Sequence, residues 1–258
     1  VIPSIESVKG FRVAGVHAGL KKENRLDFAL IRSRTNCVTA GVFTTNKVKA
    51  APVLLNMERI NNNPESIRAV AINTVSANAC TGWKGMDNAR LTAQQVAEHL
   101  EIEPEQVLVM STGVIGTHLP MDKISRGVEL ASESLGQDWG AAATAIMTTD
   151  TRPKFASVKV MTPNGEYTIA GIVKGAGMIA PNMATMLSTI VTDAKLSLSQ
   201  VQTALQVANQ QSYNRIVVDG DTSTNDMVVL MANGMSTTAI DDGYDMQVFQ
   251  EALNALTQ

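Results

Sequence analysis

The run Lys174-Gly-Ala-Gly-Met-Ile-Ala-Pro-Asn-Met-Ala-Thr-Met-Leu187 sets a threonine, Thr185, between a glycine- and proline-broken loop and a β-branched apolar stretch that ends at Asp193. In such a place the hydroxyl lies close to its own preceding carbonyl, that of Ala184. If the loop strains that peptide, attack and hydrolysis leave Thr185 as a new N-terminus. Its α-amine, with a pKa of about 7.7–8.0, then serves as general base for the adjacent hydroxyl. The competing reading is a threonine that starts a strand because its branched side chain suits one. Lys174, ordinarily a solvated surface cation, would near such a nucleophile bind a substrate carboxylate or lower the amine's pKa by repulsion.

A second run, Ser111-Thr-Gly-Val-Ile-Gly116, follows a short apolar segment. It is either a strand-to-loop turn or a set of donors for the oxyanion of a tetrahedral intermediate. Losing one such donor typically costs about 2.7–4 kcal/mol of transition-state stabilisation. A third run, Asp219-Gly-Asp-Thr-Ser-Thr-Asn-Asp226, suggests calcium but fails the pattern, with Thr224 in place of the turn glycine and Leu230 in place of the closing glutamate. Asx and Ser/Thr turns account for it better. Gly175-Ala-Gly177 matches neither phosphate-loop nor dinucleotide signatures. His17, His99 and His118 are scattered without an evident partner. No metal and no nucleotide cofactor is expected.

The three runs, in this order, resemble the ornithine acetyltransferase (glutamate N-acetyltransferase) family, and the resemblance extends from about Gly10 to the end of the chain. It implies self-cleavage between Ala184 and Thr185, with Thr185 as nucleophile and Thr112 and Gly113 as oxyanion hole. Substrate binding would fall to Thr148, Lys174 and Thr185. The implied reaction is ping-pong: acetyl passes from N2-acetylornithine to Thr185 and then to glutamate, in arginine biosynthesis and without a cofactor. The resemblance also allows an amino-acid N-acetyltransferase activity. Residues 1–184 would form an α chain and residues 185–258 the first part of a β chain, assembling as α2β2. The implied fold is α/β (α+β), two facing mixed sheets flanked by helices, as in the β-aminopeptidases.

The sequence departs from the family in places. Asn73-Thr-Val-Ser-Ala-Asn78 stands where Asn-Ser-Gly-Asn-Ala-Asn is usual, and Ser188-Thr189 where an apolar or aromatic pair is common. The family's later glutamate-bearing segment is absent, and the last helical pattern, with Phe249, Leu253 and Leu256 on its apolar face, stops at Gln258. The expectation is a truncated chain, aggregation-prone and poor in transfer. Two alternatives remain: an amidase or aminopeptidase of related architecture that uses water as acceptor, and an inactive precursor fragment.

Strands are expected at Phe11–His17, Asp27–Arg32, Val38–Phe43, Ala51–Leu55, Ile67–Asn73, Val107–Met110, Phe155–Met161, Tyr167–Val173, Thr185–Asp193, Ile216–Val218 and Met227–Met231. Helical spacing follows Asp87, read as a cap, and recurs at Met121–Leu135, Leu198–Ser212 and from Asp245. Mixed hairpins and helices argue for α/β or α+β, not a plain βαβ alternation.

The chain's 258 residues can bury about three quarters of their unfolded surface. Hydrophobic residues make up 45% and aromatics 4%, so the core must be aliphatic, and a charged content of 17% suggests extensive burial. A net charge of −3 without a basic stripe gives no support to nucleic-acid binding, and no apolar stretch reaches membrane-spanning length. Cys37 and Cys80, alone and without metal spacing, are expected to be buried thiols in a reducing cytoplasm.

Overall fold

A computed structural model describes residues 7–178, 186–241 and 243–258. Its strands are β1 (Phe11–Val16), β2 (Phe28–Phe43), β3 (Ile67–Asn73), β4 (Val107–Ser111), β5 (Lys154–Thr162), β6 (Gly165–Lys174), β7 (Leu187–Thr192) and β8 (Met227–Ala232). Its helices are α1 (Ala51–Asn62), α2 (Gly82–Leu100), α3 (Met121–Glu133), α4 (Trp139–Ala145), α5 (Leu198–Gln211) and α6 (Tyr244–Thr257).

The long strand β2 organises everything. Its first half pairs antiparallel with β1 and β3, and β3 pairs parallel with β4. Its register with β3 shifts between Arg32 and Cys37, and its second half, Val38 to Phe43, pairs instead with β8. From there the sheet continues β8-β7-β6-β5, with β7 and β8 parallel and the rest antiparallel. One strand thus serves two mixed sheets.

Packing follows from the period-two alternation of each strand. One face of each sheet meets the other in a shared core: Ile31, Ile72 and Met110 from the first sheet join Ile172, Val191 and Val229 from the second. The outer face of the first sheet, with Phe28, Leu30 and Val109, is covered by Val96 of α2 and Ile124 of α3. The outer face of the second, with Tyr167, Ile190 and Leu230, is covered by Leu205 of α5 and Phe249 of α6. The result is a four-layer helix–sheet–sheet–helix sandwich, the architecture expected.

Several local expectations need correction. Ala51–Leu55 is the start of helix α1, not a strand. Pro52 pre-organises the first turn, and Arg59 and Ile60 extend the buried face past the short apolar run. Val38–Phe43 is not a separate strand but the second half of β2. Asp87 lies inside α2, which begins at Gly82. Ile216–Val218 belongs to no strand; all three side chains are exposed. Phe249 and Leu253 are fully buried, with Phe249 tilted on Tyr167 at a centroid distance of 5.8 Å, so neighbouring elements cover these two, while Leu256 is only partly buried. Cys37 is buried, but Cys80 is exposed. α5 starts at a reciprocal capping box: the Gln200 amide donates to Ser197 Oγ, and the Ser197 amide donates to Gln200 Oε1.

Candidate active site

β3 and β4 end side by side, with Asn73 opposite Ser111. The chain segments that follow them continue to run together. The Thr112 amide donates to Asn73 O at 3.1 Å and the Val114 amide to Val75 O at 2.9 Å. Gly113, at φ 140, fits because a Cβ there would lie 2.2 Å from Val75 O. Val75 is held at φ 76, a region costly for a β-branched side chain. It stands at the glycine position of the usual family pattern, which explains why glycine belongs there.

This geometry decides which groups are free to donate. The Thr112 amide is used by Asn73, so an oxyanion role for Thr112 rests on its hydroxyl. The Gly113 amide makes no hydrogen bond among the described residues. Lys174, at the end of β6 and only 3% exposed, donates from Nζ to Thr112 Oγ1 at 3.2 Å. With that lone pair occupied, the hydroxyl hydrogen points elsewhere and remains available. Two runs 62 residues apart thus form one polar centre.

Burial pushes the Lys174 ammonium's pKa down, while the Asp150 and Asp226 charges oppose that shift. Asp150 accepts from Lys154 Nζ at 2.5 Å, from the Gly175 amide at 2.8 Å and from the Thr148 amide at 3.2 Å. These bonds and Lys154 hold its carboxyl below the usual range despite burial. Thr148 therefore borders the site through Asp150, with an exposed side chain. Thr185 and Ala184 lie outside the described residues.

The acidic run lies against this centre. The Asn225 Nδ2 group donates to Ser111 O at 2.9 Å and Ala77 O at 2.7 Å, joining the end of β4 to the loop that follows β3. The Asn225 amide donates to Ser223 Oγ at 3.0 Å, a Ser/Thr turn of the kind expected. Asp226 is fully buried and accepts the Met186 amide on Oδ1 at 2.8 Å. Its Oδ2 has no well-formed hydrogen bond among the described residues. Burial lifts this carboxyl to about 7, with the Met186 amide, Ser223 and Lys174 opposing.

Sequence reasoning missed three contributors. Asp226 passed as a turn residue and Asp150 as a neighbour of Thr148. Lys21, in the loop after β1, donates to Leu26 O and Ala145 O, and burial lowers it to about 8 against the opposing charges of Asp27 and, less strongly, Asp150. His17 also has a neighbour unseen in the sequence, Asp27 at 3.3 Å. The polar Ser188 is buried, with its hydroxyl 3.1 Å from that of Tyr213.

The arrangement can polarise a carbonyl oxygen and hold an anionic group in a dry site. Known proteins are similar to this chain in sequence and fold. The chain is 52% identical to the arginine biosynthesis bifunctional protein ArgJ of Thermotoga neapolitana, over 90% of this chain and 58% of that protein. It is 49% identical to ArgJ 1 of Clostridium acetobutylicum, over 97% of this chain and 62% of that protein. It therefore spans about three fifths of the length of these relatives. Among solved structures, ArgJ of Bacillus halodurans superposes with a TM-score of 0.65 at 38% identity, over 70% of this chain and 94% of that one. The ornithine acetyltransferase of Mycobacterium tuberculosis, complexed with ornithine, gives 0.63 at 36%, over 71% and 96%. An aminopeptidase of Ochrobactrum anthropi described as a variant of the Ntn hydrolase fold gives 0.57 at 10% identity over 97% of this chain and 83% of that one, a likeness of fold alone. With the ArgJ family model matching residues 12–258, the chain belongs to the ArgJ family.

Proposed function

We propose that this chain carries the nucleophile and oxyanion-binding half of an acetyltransferase that moves acetyl from N2-acetylornithine to glutamate. Thr185, freed by cleavage after Ala184, attacks the amide. The Thr112 hydroxyl and the Gly113 amide receive the oxyanion, and ornithine leaves. The glutamate amine then attacks the acetyl-threonine ester. Lys174 orients the Thr112 hydroxyl and offers its remaining ammonium hydrogens to a substrate carboxylate, with Thr148 at the rim of the same pocket. Residues 1–184 and 185–258 are the parts of the two resulting chains represented here, assembling in pairs as α2β2.

The contact between buried Lys174 and Thr112, beside an unengaged Gly113 amide, carries this reading. The superposition with the ornithine acetyltransferase supports it further: 71% of this chain accounts for 96% of that one, so that chain has roughly the length of residues 1–184.

The test is mass spectrometry of the purified protein after exposure to N2-acetylornithine. The smaller piece should begin Thr-Met-Leu-Ser and carry one acetyl group on Thr185, and glutamate should discharge it. Thr185→Ala should remain in one piece. Splitting of that variant at the same bond, or discharge by water as fast as by glutamate, would overturn the transferase reading. The second outcome would favour an amidase.

A further inference from the structure

The opposite end of the first sheet holds a second cluster of charge. The sheet's outer face is apolar at Ala14, Val16, Phe28 and Leu30, under α2 and α3. Continuing along the same face, where period-two alternation calls for more apolar residues, stand Arg12, Arg32 and Arg34. Arg12 and Arg32 are direct cross-strand partners, so two like charges oppose each other, a destabilising arrangement. All three line a cavity of about 620 Å3, a volume typical of small-molecule sites. Its other wall is the end of α3, with Ser132 and Glu133.

Glu133 is the one carboxylate among the lining residues, and it forms no ion pair with these arginines. Among the described residues no carboxylate forms an ion pair with any of them, although the net charge is −3 and acidic side chains are plentiful. Arg32 spends one Nη2 bond on Leu100 O at 3.4 Å, but its Nε is buried without a partner. Ser132 Oγ, facing it across the cavity, is also buried without one. Both atoms are closed to solvent, so a ligand in the cavity would meet the accessible guanidinium nitrogens of Arg12, Arg32 and Arg34 instead.

We propose that this cavity binds a small molecule bearing two oxyanion groups, carboxylates or phosphates. One group bridges Arg12 and Arg32, whose forked guanidinium groups suit such oxygens. The other reaches Arg34, about 7 Å farther along the strand. The site is separate from the Thr112–Lys174 centre: Asn73, which pairs with both Phe28 and Ser111, marks the other end of β2's first half. It does not depend on the acetyl-transfer reading.

Calorimetric titration at constant ionic strength tests this, with inorganic pyrophosphate and succinate as probes and chloride as the background anion. At least one probe should bind saturably and slow hydrogen exchange at residues 10–12 and 32–34. Arg12→Gln and Arg34→Gln, both at exposed positions, should each weaken binding at least tenfold, and Arg32→Gln more. Arg126→Gln, an exposed arginine elsewhere on α3, should leave it unchanged. Preference for pyrophosphate assigns phosphoryl ligands and preference for succinate assigns dicarboxylates; either supports the site. Binding by neither probe, or equal weakening by Arg126→Gln, would overturn the proposal.

Discussion

At the Thr112 end of the sandwich, a nearly dry ammonium sits among carboxylates: Lys174 feels Asp150 and Asp226, and Asp150 in turn holds Lys154. At the Arg12 end three guanidinium groups share one face with no carboxylate paired to them among the described residues. A buried cation must be compensated by the protein itself, because leaving it alone costs several kcal/mol. Partly solvated arginines escape that demand and can wait for a ligand. The first end is therefore set by folding, and the second by what binds.

The largest test of this contrast is at Asp226. Its carboxyl, about 7 in the folded protein against an ordinary 3.8, holds its proton more tightly when folded. Stability should therefore be fullest below pH 3.8 as far as this group is concerned, and decline as pH rises through 7. Asp226→Asn removes the titration while keeping an oxygen for the Met186 amide. Urea unfolding should show the variant gaining on the wild type as pH rises from about 4 to 7, by up to about 4 kcal/mol, and holding that gain above pH 7. A constant difference across pH 4–9 would mean that the carboxyl is ionised throughout.

Next in size is Thr112. Thr112→Ala should lower the acetyl-transfer rate about 10²-fold, while Thr112→Ser, which keeps the hydroxyl beside Lys174, should retain most of it. Equal losses in both would make the residue structural, and the first end merely a well-compensated core.

Val75→Gly should raise stability by about 1 kcal/mol, because relief of positive-φ strain exceeds the entropy lost by glycine. Thermal unfolding measures it, and a fall would show that Val75 is held without strain. The smallest effect lies at the far end. Arg12→Gln should raise stability by a few tenths of a kcal/mol by ending the cross-strand repulsion. A lowered midpoint would show that the arginines already have partners, and the contrast between the ends would collapse.

Much of the frame was legible because the strands carry their own signals. Ala69–Ile72, within Ile67–Asn73, is an unbroken apolar run with two β-branched residues, and Pro163-Asn-Gly165 announces the β5–β6 turn. Local signals misled where tertiary context decides. Ala51–Leu55 looks extended over five residues, yet its period only emerges at Arg59 and Ile60. Ile216–Val218 is β-branched but has no strand beside it. α4, rich in alanine and glycine, has too little amphipathic contrast to stand out. At the site, Thr112, Gly113 and Lys174 were singled out in the sequence, but their meeting was not, since the facing of the two sheets, with β4 in one and β6 in the other, creates it. Asp226 and Lys21 gave no signal, because burial alone makes them unusual.

The pairing of β2 with β8 joins Val38 to Ala232 and Phe43 to Met227, residues from opposite ends of the chain. During synthesis the middle of the second sheet must stay open until residue 232 has emerged, and contacts of such long range form late. Asn225, which ties the end of β4 to the loop after β3, arrives with that last strand. The machinery beside the proposed cut is thus complete only in a chain that has finished pairing. On the proposed reading, cleavage would report on folding: a chain that stalls before β8 docks would keep its backbone whole, and a severed one would have closed its sandwich first.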